Sequence, residues 1–142
     1  CDVIALARIN ANAETALALG LEAGAPVLHS LLRHRENGRP IQVEDRMVNP
    51  AFAPHYLEQD FTRLTPFEYL NELGPMDAAE HVIEATIPDT ATCELLDMQA
   101  GEPALRLTRR TWSDGIVVSR ARFVYPGRRY RLAGHQDYTQ KR

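Results

Sequence analysis

The stretch LGLEAGAPVLHSLLRHRENG at residues 19–38 decides the fold, because LDMQAGEPALRLTRRTWSDG at residues 96–115 repeats its pattern. When residue 19 is aligned with residue 96, the Leu, Ala-Gly, Pro, Leu, Arg and Gly positions coincide. In each copy an apolar-periodic helix leads to a glycine turn, and the proline forbids further helix and opens a strand. Asn-Gly and Asp-Gly at the ends of the two stretches are hairpin-turn dipeptides. The sequence therefore predicts two copies of a helix followed by a β-hairpin.

The remaining elements follow outward from this repeat. Helices are predicted over residues 13–21, over 66–73 with Thr65 as N-cap and over 90–98 with Asp89 as N-cap. Strands are predicted over 3–9, 27–32, 40–48, 79–87, 105–112 and 116–124, and a loop with short helical turns over 49–61. Two copies are too few for a solenoid. The predicted class is therefore α+β, with a central, mostly antiparallel sheet of about six strands, flanking helices and an internal pseudo-repeat.

The composition predicts one domain over residues 1–142. A chain of 142 residues that is 44% hydrophobic and 25% charged has room for one sizeable core. The formal net charge of -3 argues against a nucleic-acid-binding surface in this segment. The sequence contains no apolar run of the roughly 18 residues that a membrane helix needs, so a cytoplasmic location without a membrane partner is expected. Because the chain opens on Cys1 and runs directly into an apolar segment, we expect it to be part of a longer protein.

Motifs for catalysis or metal binding are missing from the sequence. Cys1 and Cys93 form no CxxC pair, and the histidines show neither HxH nor HExxH spacing, so neither a metal site nor a cofactor is predicted. There is no GxGxxG, Walker or GxSxG pattern. Glu44 and Asp45 are adjacent on a predicted strand and point to opposite faces, so they cannot act as an acid-base pair.

Arg33 and Arg35 are the candidate anion-binding residues. Their one-residue gap on a predicted strand places both guanidinium groups on one face. Guanidinium groups present planar forks of donors that suit a carboxylate or phosphate. The alternative is that both lie on the solvent face of the hairpin and pair with Glu36 or Asp45. Arg109, next to Arg110, is interpreted as solvated charge.

A second set of candidates lies on the last predicted strand. Ser119, Phe123 and Tyr125 share one face of that strand by their even spacing. Phe123 is expected to pack in the core, whereas Tyr125 can place a hydroxyl against a ligand. Ser119 is a candidate polar contact, although a lone serine on a strand is usually without function.

Several segments, taken in order, resemble one known family. They are LLRHRENGRPIQVEDR at 31–46, TPFEYL at 65–70, AEHVIEA at 79–85, AGEPAL at 100–105 and PGRRYRL at 126–132. Together they resemble the UTRA effector domain of GntR-type repressors, and the combination of VEDRMVNP (43–50) with AEHVIEA resembles its histidine-utilisation (HutC) branch. The resemblance extends from about residue 2 to residue 135.

This resemblance implies a fold and a function. The implied fold is chorismate-lyase-like, and the implied protein is a repressor rather than an enzyme, with a winged helix-turn-helix domain that reads DNA and is absent from this chain. The implied inducer for the branch is urocanate. Its carboxylate can be bound by arginine side chains, and its imidazole can hydrogen-bond to a carboxylate or a hydroxyl group. A homodimer is expected because palindromic operators mirror a two-fold symmetric protein.

The ligand-binding residues that the resemblance implies lie at motif positions. They are the strand arginines (Arg33 and Arg35), the glutamate after the Gly-x-Pro turn (Glu44), the residue at the helix start (Thr65), the polar residue late in the last strand (Ser119) and the late aromatic residue (Tyr125). The family's sugar-phosphate sensors carry Ser at the position of Thr65 and Glu at that of Ser119, and both departures weaken a sugar-phosphate ligand. A sensor for another metabolite, a chorismate-lyase-like enzyme and a domain used only for dimerisation remain as alternatives.

Overall fold

Two hairpins meet side by side at the centre of one antiparallel sheet. The computed structural model describes residues 1–136. Its strands are β1 (Asp2–Asn10), β2 (Pro26–Glu36), β3 (Arg39–Val48), β4 (Ala78–Thr86), β5 (Ala104–Ser113) and β6 (Ile116–Pro126), and its helices are α1 (Ala13–Leu19), α2 (Pro66–Leu73), α3 (Thr90–Leu95) and one 3₁₀ turn, Tyr56–Glu58. The sheet order is β1-β2-β3-β6-β5-β4. The predicted α+β class with six antiparallel strands is confirmed, and the predicted domain's residues 137–142 lie outside the described part.

The repeat appears as two similar halves of the sheet. The first copy forms β1, α1, β2 and β3, the second forms β4, α3, β5 and β6, and the β3–β6 ladder joins them. Both hairpin turns have two successive residues with positive φ: Asn37 (53°) and Gly38 (78°), then Asp114 (51°) and Gly115 (76°). A type I′ turn requires this geometry, which Asn-Gly and Asp-Gly adopt most readily. The turn dipeptides therefore fix the register of both hairpins.

The helix ends differ from the predicted ones. α1 ends at Leu19 rather than at residue 21, because Gly20 adopts a left-handed C-cap conformation with φ of 68°. α3 ends at Leu95 rather than at residue 98, and Asp97 has a positive φ of 52°. The predicted N-cap is confirmed, since Asp89 accepts a 2.8 Å hydrogen bond from the backbone N–H of Thr92.

The two faces of the sheet have different covers. On one face, here called the groove face, Leu28 and Leu32 pack under the segment between β3 and β4, with Tyr56, Phe61 and Leu70. On the other face, the helix face, α1 and α3 cover the sheet through two smaller apolar clusters. Side chains alternate between these faces along the strands except at three irregularities, in the β1–β2, β2–β3 and β5–β6 ladders. Away from those points, a residue's parity decides which cover it meets. No helix within residues 1–136 is long and apolar enough to cross a membrane.

Candidate functional site

A buried ionic cluster lies at the centre of the groove face. Arg46 Nε donates to Glu44 Oε2 at 2.8 Å, and their side chains are only 2% and 5% exposed. Arg46 Nη1 donates to Ser119 Oγ at 3.0 Å, and Ser119 in turn bonds Thr111 Oγ1 at 3.2 Å. The β3–β6 and β5–β6 ladders bring these four side chains together from three strands. Because buried charges need partners, the cluster holds Glu44 and Arg46 in fixed positions.

Glu44 is ionised despite its burial. Burial opposes the charged form, but the hydrogen bond from His34 and the charge of Arg46 outweigh it and hold the pKa of Glu44 below its usual value. The contact with His34 joins Nε2 to Glu44 Oε1 at 3.0 Å. His34 therefore reaches the groove face from β2 and completes the cluster.

A groove beside this cluster contains the half-buried guanidinium of Arg109. It encloses about 510 Å³ between β4, β5 and the segment that carries α2, and its lining includes Phe67, Asp77, His81 and Arg109. Arg109 Nε donates to His81 Nε2 at 3.1 Å. Within residues 1–136, Arg109 has no carboxylate within ion-pair distance. A half-buried guanidinium of this kind suits a small anion.

Aromatic rings and a second arginine surround Arg109. Its guanidinium carbon lies 5.0 Å from the ring centroid of Phe123 and 5.8 Å from that of Phe67. Burial, followed by repulsion from Arg46, lowers the pKa of Arg109 from its usual value. A bound anion next to Arg109 would relieve both effects, because it would compensate the desolvated charge and the repulsion.

Tyr125 lies on the groove face at the end of β6. Its hydroxyl accepts a 2.9 Å hydrogen bond from Gln42 Nε2, and its ring stacks on Tyr130 with centroids 3.9 Å apart. Burial is the main reason why the pKa of Tyr125 is raised. The stacked pair borders a small apolar recess formed with Leu105 and Leu107.

Arg33 and Arg35 hold a carboxylate of the chain itself. Both donate through Nε to Asp2 Oδ2, at 2.9 and 2.7 Å. Leu32 is the ladder partner of Glu44, so Arg33, one residue further on, points to the helix face. The alternative pairings with Glu36 or Asp45 are not formed, and Asp45 bonds His29 instead. Ligand binding by Arg33 and Arg35 stays a prediction, and it would require a ligand to displace Asp2.

The remaining predicted residues fall into two groups. Glu44, Ser119 and Tyr125 share the groove face, as described. Thr65 is exposed and caps α2, where its hydroxyl accepts from the backbone N–H of Glu68 at 3.1 Å. Thr65 therefore fixes the start of the helix that carries Phe67 to the groove.

Three residues of the site escaped the sequence analysis. Arg46 carried a usable signal, because its one-residue gap from Glu44 is the same spacing that drew attention to Arg33 and Arg35. The interpretation of Arg109 as solvated charge is wrong, because its guanidinium is half-buried between the ring of Phe123 and the groove wall. His34 gave no signal. Within residues 1–136, no three His, Cys, Asp or Glu side chains are grouped so that they could hold a metal ion.

Fold and groove together define an α+β domain with a charged, partly enclosed site on one face of its sheet. The chain belongs to the UTRA domain family, whose sequence model matches residues 1–131. It is 50% identical over 134 residues to the histidine utilization repressor of Pseudomonas putida, an alignment that covers 94% of this chain and 54% of that protein. It is 44% identical to the histidine utilization repressor of Klebsiella aerogenes, over 94% of this chain and 56% of that protein. The chain thus spans about half the length of these relatives.

Solved structures agree with this family. The C-terminal domain of the histidine utilization repressor from Pseudomonas syringae pv. tomato superposes with a TM-score of 0.94 at 47% identity, covering 96% of this chain and 97% of that one. The effector domain of PhnF from Mycobacterium smegmatis has a TM-score of 0.86 at 21% identity over 95% of this chain and 85% of its own, which shows the fold alone. The resemblance to the UTRA family and its histidine-utilisation branch is confirmed, as is the predicted fold.

Proposed function

We propose that this chain is the effector-sensing domain of a cytoplasmic transcription repressor of histidine utilisation genes, and that its inducer is urocanate. The observation that carries the proposal is the 50% identity over 94% of the chain with a histidine utilization repressor. The DNA-binding domain of such a repressor would lie outside these 142 residues. The sensing function then rests on the groove.

The groove has the chemistry that urocanate requires. Urocanate is a flat anion with a carboxylate at one end and an imidazole at the other. Arg109, which has no ion pair among residues 1–136, offers its guanidinium for the carboxylate, and Phe67 offers a ring against the conjugated plane. Asp77, which also lines the groove, accepts from the backbone N–H of Asp114 and has a second carboxylate oxygen for an imidazole N–H. A volume of about 510 Å³ is within the range of small-molecule sites.

Occupancy of the groove would connect two parts of the domain. Phe67 belongs to α2, whereas Arg109 and His81 belong to the sheet. A ligand that contacts both stabilises the arrangement in which α2 lies against β4 and β5. A repressor responds only if its inducer binds one conformational state better than the other. We propose that the closed groove is the state that releases DNA.

Calorimetric titration of this chain with urocanate tests the proposal. L-Histidine is a useful comparison, because it has the same imidazole and carboxylate but lacks the conjugated double bond and adds an ammonium group beside the carboxylate. Glucosamine 6-phosphate represents the sugar-phosphate alternative. Saturable binding of urocanate in preference to both supports the proposal. Binding of the sugar phosphate alone would move the chain to another sensor branch, and binding of none would favour a domain used only for dimerisation.

Two variants separate the candidate anion sites. Arg109→Gln removes the groove cation, and loss of one charge-assisted contact of about 1.5–3 kcal/mol should weaken urocanate binding roughly 10-fold to 150-fold. The double variant Arg33→Gln/Arg35→Gln is the control on the opposite face, and it tests the prediction made from sequence. If the double variant loses binding while Arg109→Gln retains it, the inducer binds at the arginine pair and not in the groove.

We also propose that the domain forms a homodimer through the free edge of β4. This edge strand is exposed along its length, and it presents Val82 (46% exposed) and Ile83 (50%) to solvent. An antiparallel edge can extend into a second copy of itself about a two-fold axis. Glu80 and Glu84 of β4 are paired with Arg110 and Arg106 of β5, whereas added lysines would leave unpaired charge on the edge and oppose pairing. Wild-type chain should sediment as a dimer and Val82→Lys/Ile83→Lys as a monomer. A dimer that survives both lysines would place the interface elsewhere.

A further inference from the structure

A second cavity lies on the helix face, on the opposite side of the sheet from the groove. It encloses about 290 Å³ between α3 and strands of both repeats. Leu31, Val43 and Val124 form an apolar floor. The charged residues at its wall are Arg106, Arg122, Asp45 and Asp89. Its volume lies just below the roughly 300–1,000 Å³ typical of ligand sites, so a ligand that fits it must be small.

The two arginines of this cavity bind carboxylates outside its lining. Arg122 Nη2 donates to Glu14 Oε2 at 2.9 Å, but the same oxygen also accepts from Arg120, so one carboxylate serves two guanidinium groups. Arg106 Nη2 bonds Glu84 at 3.1 Å. Asp45, the ladder partner of Arg122, also lines the cavity, but its carboxylate bonds His29 Nε2 at 2.8 Å rather than either cavity arginine.

Both cavity arginines retain an unused donor. The Nε atoms of Arg106 and Arg122 are buried and have no hydrogen-bond acceptor among residues 1–136. The ladder pairs Arg106 with Val124 and Arg122 with Thr108, which makes the two arginines diagonal neighbours on the same face. A buried donor without an acceptor costs free energy, so a carboxylate received between the two groups would be favourable.

A carboxylate that is hydrogen-bonded within its own helix lies across the same cavity. Asp89 is hydrogen-bonded to the N–H and the hydroxyl of Thr92, and these contacts lower the pKa of its carboxyl, which is ionised at neutral pH. Within the described residues, Asp89 forms no ion pair with a lysine, arginine or histidine. The cavity thus combines two arginines with unused Nε donors, a carboxylate outside any ion pair among the described residues, and an apolar floor.

We propose that this cavity is a second ligand site, and that it takes a free α-amino acid with an apolar side chain. The carboxylate of the amino acid would bind between Arg106 and Arg122, its ammonium would bind Asp89, and its side chain would lie on the floor formed by Leu31, Val43 and Val124. This site is independent of the groove, because the sheet separates them.

Nuclear magnetic resonance titration with three probes tests the charge pattern. L-Leucine carries both charges, 4-methylpentanoate lacks the ammonium group, and 3-methylbutylamine lacks the carboxylate. Leucine is expected to shift the backbone amides of Thr92, Leu95 and Val124 saturably, and each analogue to bind at least about tenfold more weakly. Absence of saturable shifts with leucine up to about 10 mM, or equal binding of the amine, would overturn the proposal.

Substitutions test the assignment of residues. Arg106→Lys/Arg122→Lys keeps both positive charges and removes both Nε donors, so the fold is retained while leucine binding is expected to weaken at least about fivefold. The control is Arg109→Gln, which changes the groove on the other face and should leave leucine affinity unchanged. Unchanged leucine affinity in the lysine variant, or an equal loss in Arg109→Gln, would place the leucine contact elsewhere and refute the site.

Discussion

Replacing Arg46 with methionine isolates the contribution of the buried cluster. Methionine fills a similar volume but leaves the carboxylate of Glu44, which is 5% exposed, without its main counter-charge. It also removes the donor to Ser119. Removal of one partner from a buried ion pair costs about 3–5 kcal/mol. At roughly 3 °C per kcal/mol for a chain of this length, Arg46→Met should lower Tm by about 10 °C or more.

The pH dependence of this loss has a defined sign. In the wild type, the pKa of Glu44 lies below its usual value, so its contribution to stability is present above about pH 4.3 and is lost as the pH falls through the folded-state pKa. In Arg46→Met, burial without the guanidinium should raise that pKa above the unfolded value, and protonation then favours the folded state. The stability deficit of the variant should therefore shrink between pH 7 and pH 4.

Urea denaturation at both pH values measures this effect. The double variant Glu44→Gln/Arg46→Met is the matched control, because it removes both charges and should recover most of the lost free energy. A loss below about 1 kcal/mol in Arg46→Met, similar to that of an exposed ion pair, would refute the reasoning. If the double variant loses as much unfolding free energy as the two single variants together, the proposed coupling between Glu44 and Arg46 is refuted.

Three further changes have defined outcomes. Thr65→Ala removes the N-cap of α2 and should cost about 1 kcal/mol of unfolding free energy in urea titration, with equal stability of the variant as the contrary result. Gly127→Ala should lower Tm, because a Cβ atom would lie 2.8 Å from the carbonyl oxygen of Pro103, and an unchanged Tm would show that the turn can shift. Tyr125→Phe removes the bond to Gln42 and should cost about 0.5–1.5 kcal/mol without changing the fold, as measured by calorimetric unfolding; a larger loss would point to further partners of the hydroxyl.

The fold was predictable because its main signals are local. Asn37-Gly38 and Asp114-Gly115 each specify a hairpin within a few residues, and both turns formed with the expected backbone geometry. The helix ends were less predictable, because Gly20 ended α1 at a position where the apolar pattern continued. Local signals thus identify which elements form more reliably than they identify where the elements end.

The site was only partly predictable because it is assembled across strands. Arg109 meets Phe123 through the β5–β6 register, which sequence spacing does not reveal. Arg33 and Arg35 share a side of the chain as predicted, but their partner, Asp2, comes from a distant strand. Period-two alternation identifies residues that share a face, and strand order then decides what that face meets.

A crystal structure of the chain with bound urocanate tests the central claim most directly. The account predicts the carboxylate of urocanate within hydrogen-bond distance of the Arg109 guanidinium, with Asp2 still bound to Arg33 and Arg35. Urocanate seated on the arginine pair with Asp2 displaced, or no urocanate density in the groove at saturating concentration, would contradict it.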